Sequence, residues 1–524
     1  MKTLLVIVLQ VITSAIGPAI ASAQSPSDRD GAAAVAAIER ALVAAIARAE
    51  PSVVAISRSA ASNSDDNSED FGRNLFQDLR DNGLAGSTGS ITGAGVVIDP
   101  AGLVLTHYLA VREGDQHAVT TIDGKTHDAV IHAADPRSAL AVLAIQPATP
   151  IQPAGNSDTV PRRPASFQAI RLGDAQKLRK GQFVVAIGNP FAIQSDGQST
   201  ASWGIVANLA RKAAANTNLN DAPGPNGDYR TTLHHLGTLI QTDAKLGWSA
   251  AGAGLINMQG ELVGITTTAA TIAGHEQPAG YAIPINATFR RIIEVLKEGR
   301  EVEYGMLGIT FDNFPSEPGR AQHRAAMVGF QHVTVGDVFP GTPAARAGLQ
   351  TGDIVTRVAG QVVRDIDSMQ LAVSMLPPST PITIDYQRGG RAATTKATVA
   401  KLAVTGKTIA TNRPDSWRGI RVDYATALEG PALMEAIASG AFDPQGCVLV
   451  SEVEPESEAW RAGIRPGMFI SHVGTKRVST PDEFRAAAPD VGDELDIRLT
   501  QPVEELSVDS DAAGADSNSQ HSEH

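Results

Sequence analysis

The chain has 524 residues, 43% of them hydrophobic and 19% charged, which is a globular composition with room for three or four domains. Lys plus Arg number 43 against 56 Asp plus Glu, a net charge of −13 that excludes a nucleic-acid grip built on a basic surface. The single cysteine, Cys447, excludes an intrachain disulfide and any cysteine-based zinc cluster.

Residues 1–23 read as an export signal. Lys2 precedes the apolar run Leu4–Ile16, which is too short to span a bilayer, and Ala21-Ser22-Ala23 offers a small-residue cleavage site. The expected location is beyond an inner membrane, in the periplasm or outside the cell, with a retained signal anchor as the alternative. No permanent membrane span is expected elsewhere. Residues 24–91 follow as a leading unit. It comprises an Ala-rich amphipathic helix at 31–49 ended by Pro51, a strand SVVAISRS, and a Ser/Asn/Asp/Gly-rich exposed loop at 58–90.

From 92 to 300 short apolar runs alternate with Gly and Pro, as in GAGVVID, FVVAIGNP and ELVGITTT. Many short strands without helical periodicity indicate a β-barrel or sandwich. Pro284–Lys297 is a helix with Phe289, Ile292, Ile293 and Leu296 on one face. Two similar segments come next, at 305–402 and 416–502, with 403–415 as a linker. Both keep the order P-x-(S/T)-x-A-x-x-A-G-(L/I)-x-x-G, the mark of a duplicated domain. Residues 503–524 read as a disordered acidic tail.

The string Ala-x-x-Ala-Gly-Leu-x-x-Gly-Asp at 344–353 resembles PDZ domains. Such domains hold an extended peptide by strand addition and take its terminal carboxylate in a loop of backbone amides. The matching loops are Met306-Leu307-Gly308-Ile309 and Arg418-Gly419-Ile420-Arg421, where Arg418 and Arg421 read equally as attractors of an acidic peptide end or as solvated surface arginines. Upstream, GAGVVIDPAGLVLT, DPRSALAVLAI, VVAIGNPF, IQTDA, GLINMQGELVGI and GYAIPIN are similar to the HtrA/DegP family of exported serine proteases. The resemblance implies a mostly β fold: a trypsin-like double β-barrel followed by two PDZ domains, which are small α+β barrels. It also implies a homo-oligomer, trimer-based, and no cofactor.

The family's catalytic positions are substituted. Aligned without gaps, LTHYLAV places Leu109 at the histidine, DPRSALAVLAI places Ala139 at the aspartate, and QTDAKLGWSAAGAGLIN places Ala251 at the serine. Leucine carries no proton and alanine offers no nucleophile. Loss of the whole unit costs on the order of a million-fold in turnover. Ser249 and Ala253 stand where the family has glycines, which weakens the oxyanion hole. His107 and Ser249 each lie two residues from the expected position and are the candidate substitutes. A two-residue step along a strand keeps the face but moves a side chain roughly 6.6 Å. Asp135 belongs to a DP turn. The tandem His234-His235 faces opposite ways and reads as no metal site; none is expected.

These readings lead to a non-enzyme, a pseudoprotease that binds extended or unfolded polypeptides or protein C-termini as scaffold, holder or regulator. An active protease relative is a further candidate partner. An active serine endopeptidase with a relocated catalytic set is the alternative.

Overall fold

The computed structural model describes residues 28–59, 91–147, 166–189, 197–212, 232–244, 251–267, 280–312, 333–490 and 496–500. The export signal, nearly all of the loop at 58–90, Trp248, Ser249 and the acidic tail lie outside these residues.

Helix α1 (Asp28–Ala49) starts three residues earlier than its Ala-rich core suggests and stops where Pro51 enters a 3-10 turn. Its C-terminal half buries Ala45 and Ala49, one turn apart, on the body of the protein. Six strands follow: β1 (Val53–Ser59), β2 (Ile91–Asp99), β3 (Leu103–His107), β4 (Gln116–Thr120), β5 (Thr126–Asp135) and β6 (Leu140–Ile145). They run antiparallel in the order β5-β4-β1-β2-β3-β6, and pairing of β5 with β6 closes the barrel. Six more, β7 (Phe183–Gly188), β8 (Thr200–Arg211), β9 (Leu239–Thr242), β10 (Gly254–Asn257), β11 (Leu262–Thr267) and β12 (Gly280–Pro284), close a second barrel. This is the expected trypsin-like pair.

Alternation along the strands explains why the apolar runs are continuous. In β7, Val184 and Ala186 fill the second barrel while Val185 and Ile187 join the core between the barrels. In β3, Val104 fills the first barrel and Leu105 turns to the same shared core. Strands buried on both faces lose the polar half of the period-two pattern. Helix α2 (Ala287–Lys297) closes this core with Phe289, Ile292, Ile293 and Leu296, and Asn286 caps it by accepting from the Phe289 amide.

The first module holds β13 (Gly305–Met306), β14 (Ile309–Phe311), β15 (Val333–Val338), α3 (Pro343–Arg346), β16 (Ile354–Val358), β17 (Gln361–Val362), α4 (Ile366–Ser374), β18 (Pro381–Arg388), β19 (Arg391–Thr398) and β20 (Ala400–Lys401). Its main sheet runs β14-β15-β16-β18-β19, which leaves β14 at an open edge.

Residues 403–415 are not a free linker. Within them β21 (Ile409–Ala410) pairs with Ala134 and Ala133 of β5. The physical reason is length: β4 covers β5 only as far as Ala129, so the rest of β5 presents an unpaired edge. The strap is held on both sides. Tyr108 Oη donates to Lys407 O at 2.9 Å, Thr411 Oγ1 to His132 O at 2.9 Å, and Asn412 N to Gly299 O at 2.9 Å. Ile409→Pro removes a ladder donor from this strand. It is expected to raise amide exchange across 133–134 and 409–412 and to lower barrel stability by about 1–2 kcal/mol. Unchanged exchange would show the strap to be passive.

The second module holds β22 (Ile420–Tyr424), α5 (Gly430–Ala438), β23 (Val448–Val453), α6 (Glu458–Arg461), β24 (Phe469–Val473), β25 (Lys476–Arg477), α7 (Pro481–Ala487) and β26 (Ile497–Leu499). Strand β22 is again at the sheet edge. Buried Lys401 joins the modules, its Nζ lying 2.7 Å from Asp423, 2.8 Å from Glu301 and 3.7 Å from Glu303. Burial opposes its charge, but Asp423 and Glu301 outweigh burial and hold its pKa above the ordinary lysine value.

Candidate functional site

Three segments meet between the barrels. Leu109 sits in the 3-10 turn Tyr108–Ala110 directly after β3. Ala139 lies at the start of β6 with its carbonyl accepting from the Tyr108 amide at 2.8 Å. Its φ is +57°, a left-handed conformation that aspartate tolerates better than alanine. Ala251 precedes β10, and its carbonyl accepts from Ala94 N at 3.3 Å. Next to it Gly252 has φ +89°, and a Cβ there would stand 2.2 Å from Ala94 O and 2.3 Å from Thr106 Oγ1. Its amide donates to Thr266 O at 3.0 Å, so it is committed to the barrel and not aimed at the cleft.

His107, at the end of β3, belongs to the same wall. Its Nδ1 accepts from Leu109 N at 3.2 Å, which leaves the proton on Nε2, 3.0 Å from Thr267 Oγ1. Burial lowers its pKa to about 4, so the ring is neutral. The structure does not bring Asp135 behind this imidazole. That carboxylate instead accepts from Ser138 N at 3.0 Å, from Arg137 N at 3.3 Å and from the Tyr304 hydroxyl. Burial raises its pKa. Arg137 reaches on to Ser374 Oγ of α4 at 3.0 Å and covers the Tyr304 ring. The DP turn is thus the joint between the first barrel and the first module, a role that no local motif announces.

His234 is 1% exposed, and among the described residues neither ring nitrogen has a hydrogen-bond partner. Burial first, and then the charges of His107 and His235, hold its pKa well below the usual value. Among the described residues no group of three or more His, Cys, Asp or Glu could hold a metal ion, and no helix is long and apolar enough to cross a membrane.

The loops Met306–Ile309 and Arg418–Arg421 are built alike against the entry to a short helix. A Cβ on Gly308 would stand 2.3 Å from Thr342, just before α3, and one on Gly419 would stand 2.3 Å from Ser457, just before α6. The carbonyls of Leu307 and Gly308 accept from Ala344 N and Phe339 N, at 2.9 and 3.1 Å. The arginines of the second loop are already paired. Arg418 lies 2.7 Å from Glu458, and Arg421 lies 3.4 and 3.9 Å from Glu452 and Glu454. They are therefore not the free attractors of an acidic peptide end that one reading of the sequence suggests.

A trypsin-like peptidase domain matches residues 93–265 and a PDZ domain matches residues 305–399. The chain is thus similar to HtrA/DegP proteases, with a trypsin-like peptidase domain followed by a PDZ domain. Its relatives include the probable periplasmic serine endoprotease DegP-like of Chlamydia trachomatis, 27% identical over 75% of this chain and 69% of that one. The periplasmic serine endoprotease DegP of Salmonella typhimurium is 29% identical over 75% and 70%. The periplasmic pH-dependent serine endoprotease DegQ of Escherichia coli is 28% identical over 75% and 74%. The solved HtrA-type protease AlgW with tripeptide aligns at 23% identity with a TM-score of 0.46, over 71% of this chain and 98% of that one.

These relatives correct one expectation. The substitutions at Leu109, Ala139 and Ala251 suggest a protein without enzymatic activity, whereas the HtrA/DegP-type relatives are named serine endoproteases. The inference from three side chains treats their loss as loss of the chemistry. The His107 backbone lies beside Gly252 of this loop, while its ring is buried against Thr267.

Proposed function

We propose that this chain is an exported, periplasmic serine endopeptidase of the HtrA/DegP type. In this reading it takes hold of extended polypeptide at the PDZ edge strand and presents it to the cleft between the barrels. The observation that carries the reading is β14: an edge strand preceded by a loop whose carbonyls turn into the protein. Met306, Leu307, Gly308 and Ile309 form the capture site. Assembly as a trimer-based homo-oligomer belongs to the same proposal, as does an active protease relative as a partner.

Hydrolysis in this reading uses a relocated set, with His107 as base and Ser249 as nucleophile. His107 must release both Leu109 N and Thr267 Oγ1 and shift its proton from Nε2 to Nδ1, so that Nε2 is free to accept the serine proton, and its base strength must rise from a pKa of about 4 when substrate displaces its present neighbours. With no carboxylate orienting the ring, turnover is expected about ten-thousand-fold below that of a complete triad. The test is unfolded casein incubated with purified mature chain. Slow cleavage that disappears in both Ser249→Ala and His107→Ala, with casein capture retained, is the expected result. Casein that is captured but left intact by the unaltered chain, or cleaved equally by both variants, would remove the relocated set.

A further inference from the structure

We infer that capture of a free carboxylate end is confined to the first module, because the second fills its own first pairing position with Trp417. The inference rests on the peptide-binding reading above and adds which of the two grooves is open. In the first module Ile309 lies opposite Val338 of β15, while the flanking bond runs from Phe339 N to Gly308 O. That pattern makes Ile309 the non-bonded member of the ladder, so its N–H and C=O point to the open edge. Met306 does not fold back on them, because it pairs with Ala400 in β13 and β20. Among the described residues the amides of Leu307 and Gly308 meet no backbone acceptor, while their carbonyls are engaged. Gly308 is left-handed (φ +78°) and Leu307 is not, a combination that turns successive amides to one side and suits an anion.

The second module has the same register: Ile420 lies opposite Val453, and Glu454 N donates to Gly419 O at 2.8 Å. Ile420 therefore also points its amide and carbonyl to the open edge. There Trp417 takes both. Ile420 N donates to Trp417 O at 2.8 Å and Trp417 N donates to Ile420 O at 2.9 Å. Arg418 and Gly419 between them have φ of +52° and +86°, a type I′ turn. Trp417 thus stands where the last residue of an added strand would pair. Its ring packs edge-on against Phe484 of α7 at 5.6 Å, and the Arg418 guanidinium covers the ring at 5.1 Å. Arg418 is held in turn by Glu458. The plug is therefore fixed by backbone, aromatic and ionic contacts together.

The experiment uses the full mature chain and a decapeptide ending in valine with a free carboxylate, beside the same peptide amidated. Calorimetry is expected to give one equivalent bound per chain, with affinity lost on amidation and in Gly308→Val. Trp417→Gly is expected to raise the stoichiometry to two. Amide exchange measured without peptide is expected to show Ile420 protected at least tenfold more than Ile309. Two equivalents in the unaltered chain, or equal exchange at Ile420 and Ile309, would overturn the inference. Absence of peptide binding together with a protected Ile420 would uphold the plug and remove the peptide-capture reading instead.

Discussion

Acidification from pH 7 to pH 4.5 is expected to destabilise the two-barrel unit by about 2 kcal/mol through His107 alone, approaching about 3 kcal/mol at lower pH. The sign follows from the direction of the shift. Burial lowers the folded pKa of His107 to about 4, whereas the unfolded chain titrates near 6.5. The unfolded state therefore binds the proton first as pH falls. The neutral ring's contribution is complete above about 6.5 and is lost between there and about 4. His234, also buried and with no hydrogen-bond partner at either nitrogen among the described residues, shifts in the same direction and steepens the loss. Urea unfolding monitored at a series of pH values measures the slope. In His234→Leu, which keeps the volume and removes the titration, the acid limb is expected to be shallower. A stability flat between pH 7 and 4.5 would show that these rings reach water.

Asp135→Ala is expected to cost about 3–5 kcal/mol, the largest effect of any single polar substitution proposed for this chain. The carboxylate is buried and accepts from the Ser138 and Arg137 amides and from the Tyr304 hydroxyl. Its removal orphans three donors in a dry site, each worth about 1–3 kcal/mol when left unmade. Asp135→Asn keeps the shape and one acceptor oxygen and is expected to cost about half as much. Because Arg137 runs from this turn to Ser374 of α4, the loss extends to the seating of the first module. Denaturation midpoints measure the stability, and limited proteolysis near 300–305 reports the seating. An alanine variant as stable as the parent would mean that the cluster is solvated.

The barrels, the closing helix and the loop before the first module's edge strand were legible because each leaves a local trace. Examples are continuous apolar runs for strands buried on both faces, a 3.6-residue stripe for α2, and glycines where the loop at Gly308 admits no Cβ. The strap at 403–415 was not legible. Whether a Gly/Pro/Thr-containing stretch hangs free or pairs depends on an edge left open far earlier in the chain, at Ala133 and Ala134. The partners of Arg418 and Arg421 were not legible for a similar reason, since charge is visible in a sequence and its partner is not. Ile420 and Ile309 occupy equivalent places in matching strings, yet one has its edge taken and the other does not.

By itself the amino-acid order carried the patterns of period and punctuation that build the barrels and the first module. Those properties are local, set by side-chain chemistry and backbone freedom within a few residues. Only the tertiary structure decided that Asp135 serves an interdomain joint, that His107 is a neutral buried ring, and that Trp417 bridges to Ile420 at the edge of the second module. Burial, pKa and hydrogen-bond partnership are set by groups distant along the chain, and folding alone brings those groups within reach.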